Sequence, residues 1–167
     1  RMAAAEGLAV QTVPGASALL AALTLAGLPT DRFLFAGFAP SQKGARRRWL
    51  DQQARLDATV VIFESPRRVN QTLKEMCEVD PNRPTVVARE LTKKFEEVLC
   101  GPARSVMEAI PEEGLRGEIV VVMAPGGAVV ADDGAVRAAL ARGSRLVGTT
   151  GGTGISPRDR TPEGTAP

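Results

Sequence analysis

The stretch "VVIFESPRRV", residues 60–69, decides the fold. Apolar residues with strong strand preference run straight into a carboxylate, a hydroxyl, a proline and two arginines, with no linker between them. Ser65 suits a helix N-cap and Pro66 the first helical position, and Val69, Leu73 and Met76 then recur at helical spacing. The stretch predicts a strand-to-helix turn, with the helix capped at Ser65 and running to about Val79. In open α/β sheets such turns also border ligands, because helix N-termini aim free N–H groups outward at the carboxyl ends of strands.

Toward the N-terminus the same alternation continues. Met2 to Glu6 reads as the end of a helix closed by Gly7, Leu8 to Val13 as a short strand, and Pro14-Gly15 as a turn. A helix follows from near Ser17 to Ala26; "SALLAALTLA" has hardly a polar residue on any face, which predicts burial between layers. Gly27 and Pro29 stop it. "RFLFAGF" (32–38) is strand-like, and "APSQKGARRRWL" (39–50) opens a helix that carries Trp49, Leu50 and Leu56 toward the core.

Toward the C-terminus, "DPNRP" (80–84) is a turn, "TVVARE" (85–90) a strand, and "LTKKFEEV" (91–98) a loop and then a strand to Leu99. A short helix spans Pro102 to Ile110, and "GEIVVVM" (117–123) is a final buried strand. Strands alternating with helices predict an α/β fold, an αβα sandwich, with Pro14-Gly15, Glu64-Ser65 and Arg89-Glu90 at strand ends along one rim. After Met123 the composition shifts to small residues. A boundary is expected there, with one domain over residues 1–124 and a second unit over 125–167.

Composition narrows the chemistry. The 167 residues, 44% hydrophobic, suffice for one ordinary core, and the apolar stretch from Ala16 to Leu28 is too short to cross a bilayer. No signal-peptide pattern is present, so a cytoplasmic location is expected. Arg1 stands where an initiator methionine would, which implies an upstream segment. Cys77 and Cys100 have neither metal-ligand spacing nor a CxxC pattern. Histidine is absent, which excludes histidine-based triads and most zinc sites. A formal net charge of +2 implies no nucleic acid by itself, so any such argument is local.

Three constellations carry local arguments, each with a bland alternative. The Pro14-Gly15 turn before a helix can bring backbone close to an anion, or be only a tight turn. "SQKGARRR" holds Lys43, Arg46, Arg47 and Arg48 with no acidic residue from Arg32 to Leu50; consecutive arginines cannot share one helix face, so some point to solvent or to a phosphate-rich partner. "ARELTKKFEE" gathers Arg89, Glu90, Lys93 and further charges after a strand, either as self-compensating ion pairs or as a polar rim that orients substrate.

"VPGASALLAALTLAGLPTDRFLFAGFAP", "KGARRR", "VVIFESPRRV", "RPTVVARELTKKFEEVLCG" and "RGEIVVVM" resemble, in order and spacing, the branch of the tetrapyrrole methylase family that methylates small-subunit ribosomal RNA. The resemblance covers Arg1 to about Met123, the second domain of such an enzyme. It implies S-adenosyl-L-methionine as cofactor, 16S ribosomal RNA as partner, methylation of a cytidine ribose 2′-oxygen, and a homodimer. By the same resemblance the cofactor contacts are Ser17, Ala18, Phe63, Ala88, Gly117 and Glu118. Lys43, Arg46, Arg47, Arg48, Arg68 and Arg89 face RNA. Glu64, Glu90 or Lys93 is the candidate base. The family's amino-terminal domain has no counterpart in this sequence, so weak or absent cofactor binding by the chain alone is expected. An RNA-binding or dimerisation module without catalysis is the alternative. "LVGTTGGTGISPRDRTPEGT" (146–165) resembles the molybdopterin-binding family of MogA and MoaB, through Gly151, Gly152, Thr153, Gly154 and Asp159, and implies molybdenum-cofactor chemistry for the tail.

Overall fold

The computed structural model describes residues 2–127. The elements are α1 (Met2–Ala5), α2 (Ala18–Ala26), β1 (Phe33–Phe38), α3 (Lys43–Gln53), β2 (Thr59–Glu64), α4 (Val69–Val79), β3 (Pro84–Arg89), β4 (Glu97–Pro102), α5 (Ala103–Ala109) and β5 (Ile119–Met123). The strands form one sheet in the order β1-β2-β5-β3-β4. β1 is parallel to β2, whereas β5 is antiparallel to both its neighbours and β3 is antiparallel to β4.

The last strand in sequence therefore enters the middle of the sheet, where it is covered on both faces. That position suits the unbroken run Ile119–Met123, all of it buried. On one face Leu50 of α3, Leu73 and Met76 of α4, and Val106 of α5 pack on Val60, Ile62, Val87 and Val121. On the other, Ala22 and Leu23 of α2 pack on Val61, Val86, Ala88, Val120 and Val122. The result is an αβα sandwich, and each fully buried valine or leucine contributes roughly 1.5–3 kcal/mol of transfer free energy.

Three expectations need correction. Leu8 to Val13 is exposed and pairs with none of the five strands; an alternating pattern makes a strand only where an edge receives it. α2 buries only Ala22 and Leu23 and leaves Leu20 exposed, so among the described residues it covers the sheet with one side rather than lying between layers. α4 begins at Val69, not after Ser65. The Ser65 carbonyl accepts the N–H groups of Arg68 and Val69, and its Oγ accepts that of Arg67, so residues 65–68 form a tight turn that leads into α4. The unit expected from residue 125, with its glycine-rich motif, lies outside the described residues after Gly127.

Candidate functional site

Because β2 and β3 flank β5 and point the same way, their ends meet. Glu64 and Arg89 both pair with Ile119, so the Glu64-Ser65 turn, the Arg89-Glu90 turn and the approach to β5 through Gly117 and Glu118 share one rim. Pro14-Gly15 lies in the irregular N-terminal segment instead. Just inside the rim, Phe63, Val120, Ala88 and Val98 stand in register on the α2 face. Neighbouring strands are about 4.8 Å apart, which puts Phe63 and Ala88 roughly 10 Å from each other. α2 leaves the sheet at the opposite edge, where the Pro29 carbonyl accepts the Thr59 hydroxyl at 2.5 Å, so its first turn, capped by Ser17, points back over the sheet. Ala88 is 0% exposed and forms the floor of this row rather than its surface.

The sequence reading did not single out two aromatic neighbours. β1 carries one extra residue between Phe35 and Phe38 relative to β2, with Gly37 at φ 69°, a conformation that glycine adopts without strain. The bulge turns Phe38 onto the same face as Phe35. Both rings then meet Phe63 edge-on, at centroid distances of 4.9 Å for Phe35 and 6.0 Å for Phe38. Phe38 is 62% exposed. The signal was the glycine inside a strand pattern, which marks a bulge.

The turn after β3 is built on strain and charge. Glu90 and Thr92 both have positive φ, 49° and 64°, which non-glycine residues adopt only when surrounding contacts hold them there. Glu90 is held by its backbone N–H donating to the Glu118 carbonyl at 3.0 Å, and by its Oε1 accepting the Glu118 N–H at 2.9 Å and Lys93 Nζ at 3.0 Å. Lys93 Nζ also donates to Glu118 Oε2 at 3.0 Å. The Glu118 N–H first, and then the Lys93 ammonium, hold the Glu90 carboxyl below its ordinary value of 4.5. Glu90 and Glu118 in turn push Lys93 above 10.5, so it is a cation at neutral pH and cannot serve as a base.

The sign of the pH effect follows. A depressed carboxylate stabilises the fold above its unfolded value, and that contribution is lost as pH falls through the lower folded value. The elevated lysine contributes fully below 10.5 and loses its share as pH rises through the folded value. We expect the melting-temperature gap between wild type and Glu90→Gln to be open at neutral pH and to close below the carboxylate range. A gap that persists undiminished in acid contradicts this.

Glu64 and Arg46 are placed differently from their expected roles. Glu64 faces α4 and is buried, its Oε1 accepting the Ser65 N–H at 2.7 Å and pairing with Arg68 at 2.8 Å, its Oε2 accepting the Thr72 hydroxyl at 2.7 Å. Both oxygens are occupied, so it organises the turn instead of taking a proton. Arg46 is 2% exposed and cannot reach RNA; it belongs to the core side of α3 with Leu50 and Gln53. Arg89 is tied to Glu97 at 2.8 Å and to the Arg116 carbonyl, and Arg47 pairs with Glu78 and Asp51. Lys43 and Arg48 are exposed and make no ion pair among the described residues. The described residues contain no cluster of metal-ligating side chains and no helix long and apolar enough to cross a membrane.

The description of the tetrapyrrole (corrin/porphyrin) methylases fits residues 1–107. A ribosomal RNA small subunit methyltransferase I from Erythrobacter litoralis is 44% identical over 126 residues, which is 75% of this chain and 45% of the relative. The protein of the same name from Halalkalibacterium halodurans is 40% identical over 118 residues, 71% of this chain and 41% of the relative. The crystal structure of the methyltransferase CobJ matches with a TM-score of 0.54 at 22% identity, covering 75% of this chain and 54% of that one. The chain thus spans less than half the length of the curated relatives it matches.

Proposed function

From the premise that the chain belongs to the tetrapyrrole methylase family, we propose that it forms one wall of an S-adenosyl-L-methionine-dependent methyltransferase that modifies small-subunit ribosomal RNA, at the ribose 2′-oxygen of a cytidine. The observation that carries the reading is the pairing of Glu64 and Arg89 with the same residue, Ile119, which brings Phe63, Gly117 and Glu118 to one rim. The identity to relatives named for that RNA supports the substrate.

The residues fit such a cofactor. Phe63 and the exposed Phe38 offer apolar surface to a purine, and Glu118, 81% exposed in its side chain, offers a carboxylate to a cation, whereas Ala88, covered by α2, supports the wall from beneath instead of touching a ligand. Ser17, Ala18 and Gly117 complete the proposed contacts. When bound, the cofactor supplies an electrophilic methyl group on a sulfonium; the chain's own work is to align donor and acceptor and to exclude water. Among the three candidate bases, Glu64 is sealed and Lys93 is protonated. Glu90, the third, is a carboxylate whose lowered pKa makes it a weak proton acceptor, so its part is to hold Lys93 and Glu118 at the rim. The homodimer belongs to the same proposal, supported by the edge strand β1, where Phe33, Leu34 and Phe35 are exposed.

RNA contact is proposed for Lys43 and Arg48, the unpaired exposed cations of α3. Filter binding of a 16S RNA fragment across a salt series tests this: Lys43→Ala and Arg48→Ala should each flatten the slope of log K against log salt by roughly 1. An unchanged slope in both variants refutes the RNA surface.

A further inference from the structure

The loop between β1 and α3, residues 39–42, leaves the sheet where Phe38 pairs with Phe63, and it leads directly to Lys43. Three consecutive carbonyls of this loop turn inward to arginines. Arg68 Nη1 donates to the Ala39 carbonyl at 3.4 Å, and Arg46 Nη1 donates to those of Pro40 and Ser41 at 3.2 and 3.1 Å. Each arginine is itself fixed by a buried carboxylate of the β2–α4 segment. Arg46 Nε and Nη2 make a two-pronged pair with Glu75 at 2.9 and 2.6 Å, and Arg68 pairs with Glu64.

The Arg46–Glu75 pair is a poor investment if stability is its only purpose. Buried ion pairs are often matched or surpassed in stability by apolar residues of similar volume. What apolar residues cannot supply is a planar fork with a spare N–H pair aimed at two loop carbonyls. Because the C=O of one residue and the N–H of the next point oppositely across a trans peptide, turning the Pro40 and Ser41 carbonyls inward also sets the Ser41 and Gln42 N–H groups outward.

We propose that Arg46 and Glu75 are positioning residues: they hold the β1–α3 loop in the one arrangement that presents Lys43 and the start of α3 to the RNA. This rests on the RNA-binding reading above and assigns Arg46 a role behind the surface rather than on it. Gln71, whose Nε2 donates to Glu75 Oε1 at 3.4 Å, supports the carboxylate from one turn earlier on α4.

The test uses the full chain and the double variant Arg46→Met with Glu75→Leu, which removes both charges together and so avoids stranding either one. Backbone ¹⁵N order parameters at Ser41, Gln42 and Gly44 should fall from about 0.85 toward 0.6 or below, with the melting temperature close to wild type. Affinity for the 16S RNA fragment should drop about fivefold or more. Glu75→Gln, which keeps one acceptor oxygen, should give an intermediate loss. A loop as rigid in the double variant as in wild type overturns the proposal, whatever the RNA does. So does unchanged RNA affinity in a folded double variant, and so does a variant that loses only stability. Failure of the wild-type chain to hold RNA refutes the RNA surface itself, and the order parameters then still decide whether the pair fixes the loop.

Discussion

Glu75→Ala is expected to destabilise the fold by about 3–5 kcal/mol, the cost of leaving a buried partner charge uncompensated. Glu75 and Arg46 are each 2% exposed and joined by two hydrogen bonds. Without the carboxylate, Arg46 keeps the carbonyls of Pro40 and Ser41 as neutral acceptors, but no opposite charge remains among its hydrogen-bond partners. Against a typical total of about 5–15 kcal/mol, that loss is a large fraction, and a melting-temperature drop of roughly 10–20 °C should accompany it. Urea denaturation of wild type, Glu75→Ala and the Arg46→Met/Glu75→Leu double variant separates the causes. The single variant should be far less stable than the double one. Equal losses in both would mean that packing, not the stranded charge, sets the cost.

Gly117→Ala is expected to dismantle the Glu90 turn. A Cβ at Gly117 would sit 2.4 Å from Glu90 Cδ, and the backbone there has φ 93°, outside the range that alanine adopts comfortably. The side chain of Glu90 can swing away, but it then gives up the Glu118 N–H and Lys93 together. The backbone strain stays, costing roughly 1–2 kcal/mol. Two signatures should appear: lower stability at neutral pH, and a carboxyl at Glu90 that titrates closer to its ordinary value when followed by carbon-13 NMR. A Gly117→Ala chain whose Glu90 titrates as in wild type would show that the close approach is not what holds the carboxylate.

The inner strands of the sheet were readable because β2, β3 and β5 are rich in β-branched residues. Val60 to Phe63 and Val120 to Val122 have no polar interruption, as strands covered on both faces require. The helix starting at Val69 was placed too early because Ser65 and Pro66 satisfy the local rules for a cap equally well in the turn that leads into it, where Ser65 accepts the N–H groups of Arg67, Arg68 and Val69. Leu8 to Val13 shows the converse, a strand pattern that joins neither edge of the sheet.

Within the site, the arginine run was legible only in part. Helical spacing alone aligns Arg46 with Leu50 and Gln53, at intervals of four and three, so its inward face could have been read from the sequence. Its partner could not, since Glu75 lies 29 residues away on another helix. The same holds for Lys93. A lysine among glutamates looks like any exposed ion pair until the antiparallel register of β3 and β5 brings Glu118 across from Glu90. Phe38 joined the site through a one-residue bulge, which shifts its face against simple alternation.

The central claim is that the ends of β2 and β3, the start of β5 and the first turn of α2 make one wall that meets the methyl donor. Amide chemical-shift mapping of the chain titrated with S-adenosylhomocysteine tests it most directly, because it reports weak binding residue by residue. The account predicts shifts concentrated at Ser17, Ala18, Phe63, Gly117 and Glu118, with millimolar-range saturation. Shifts confined to the α3–α4 face, or none at any ligand concentration reached, would contradict it.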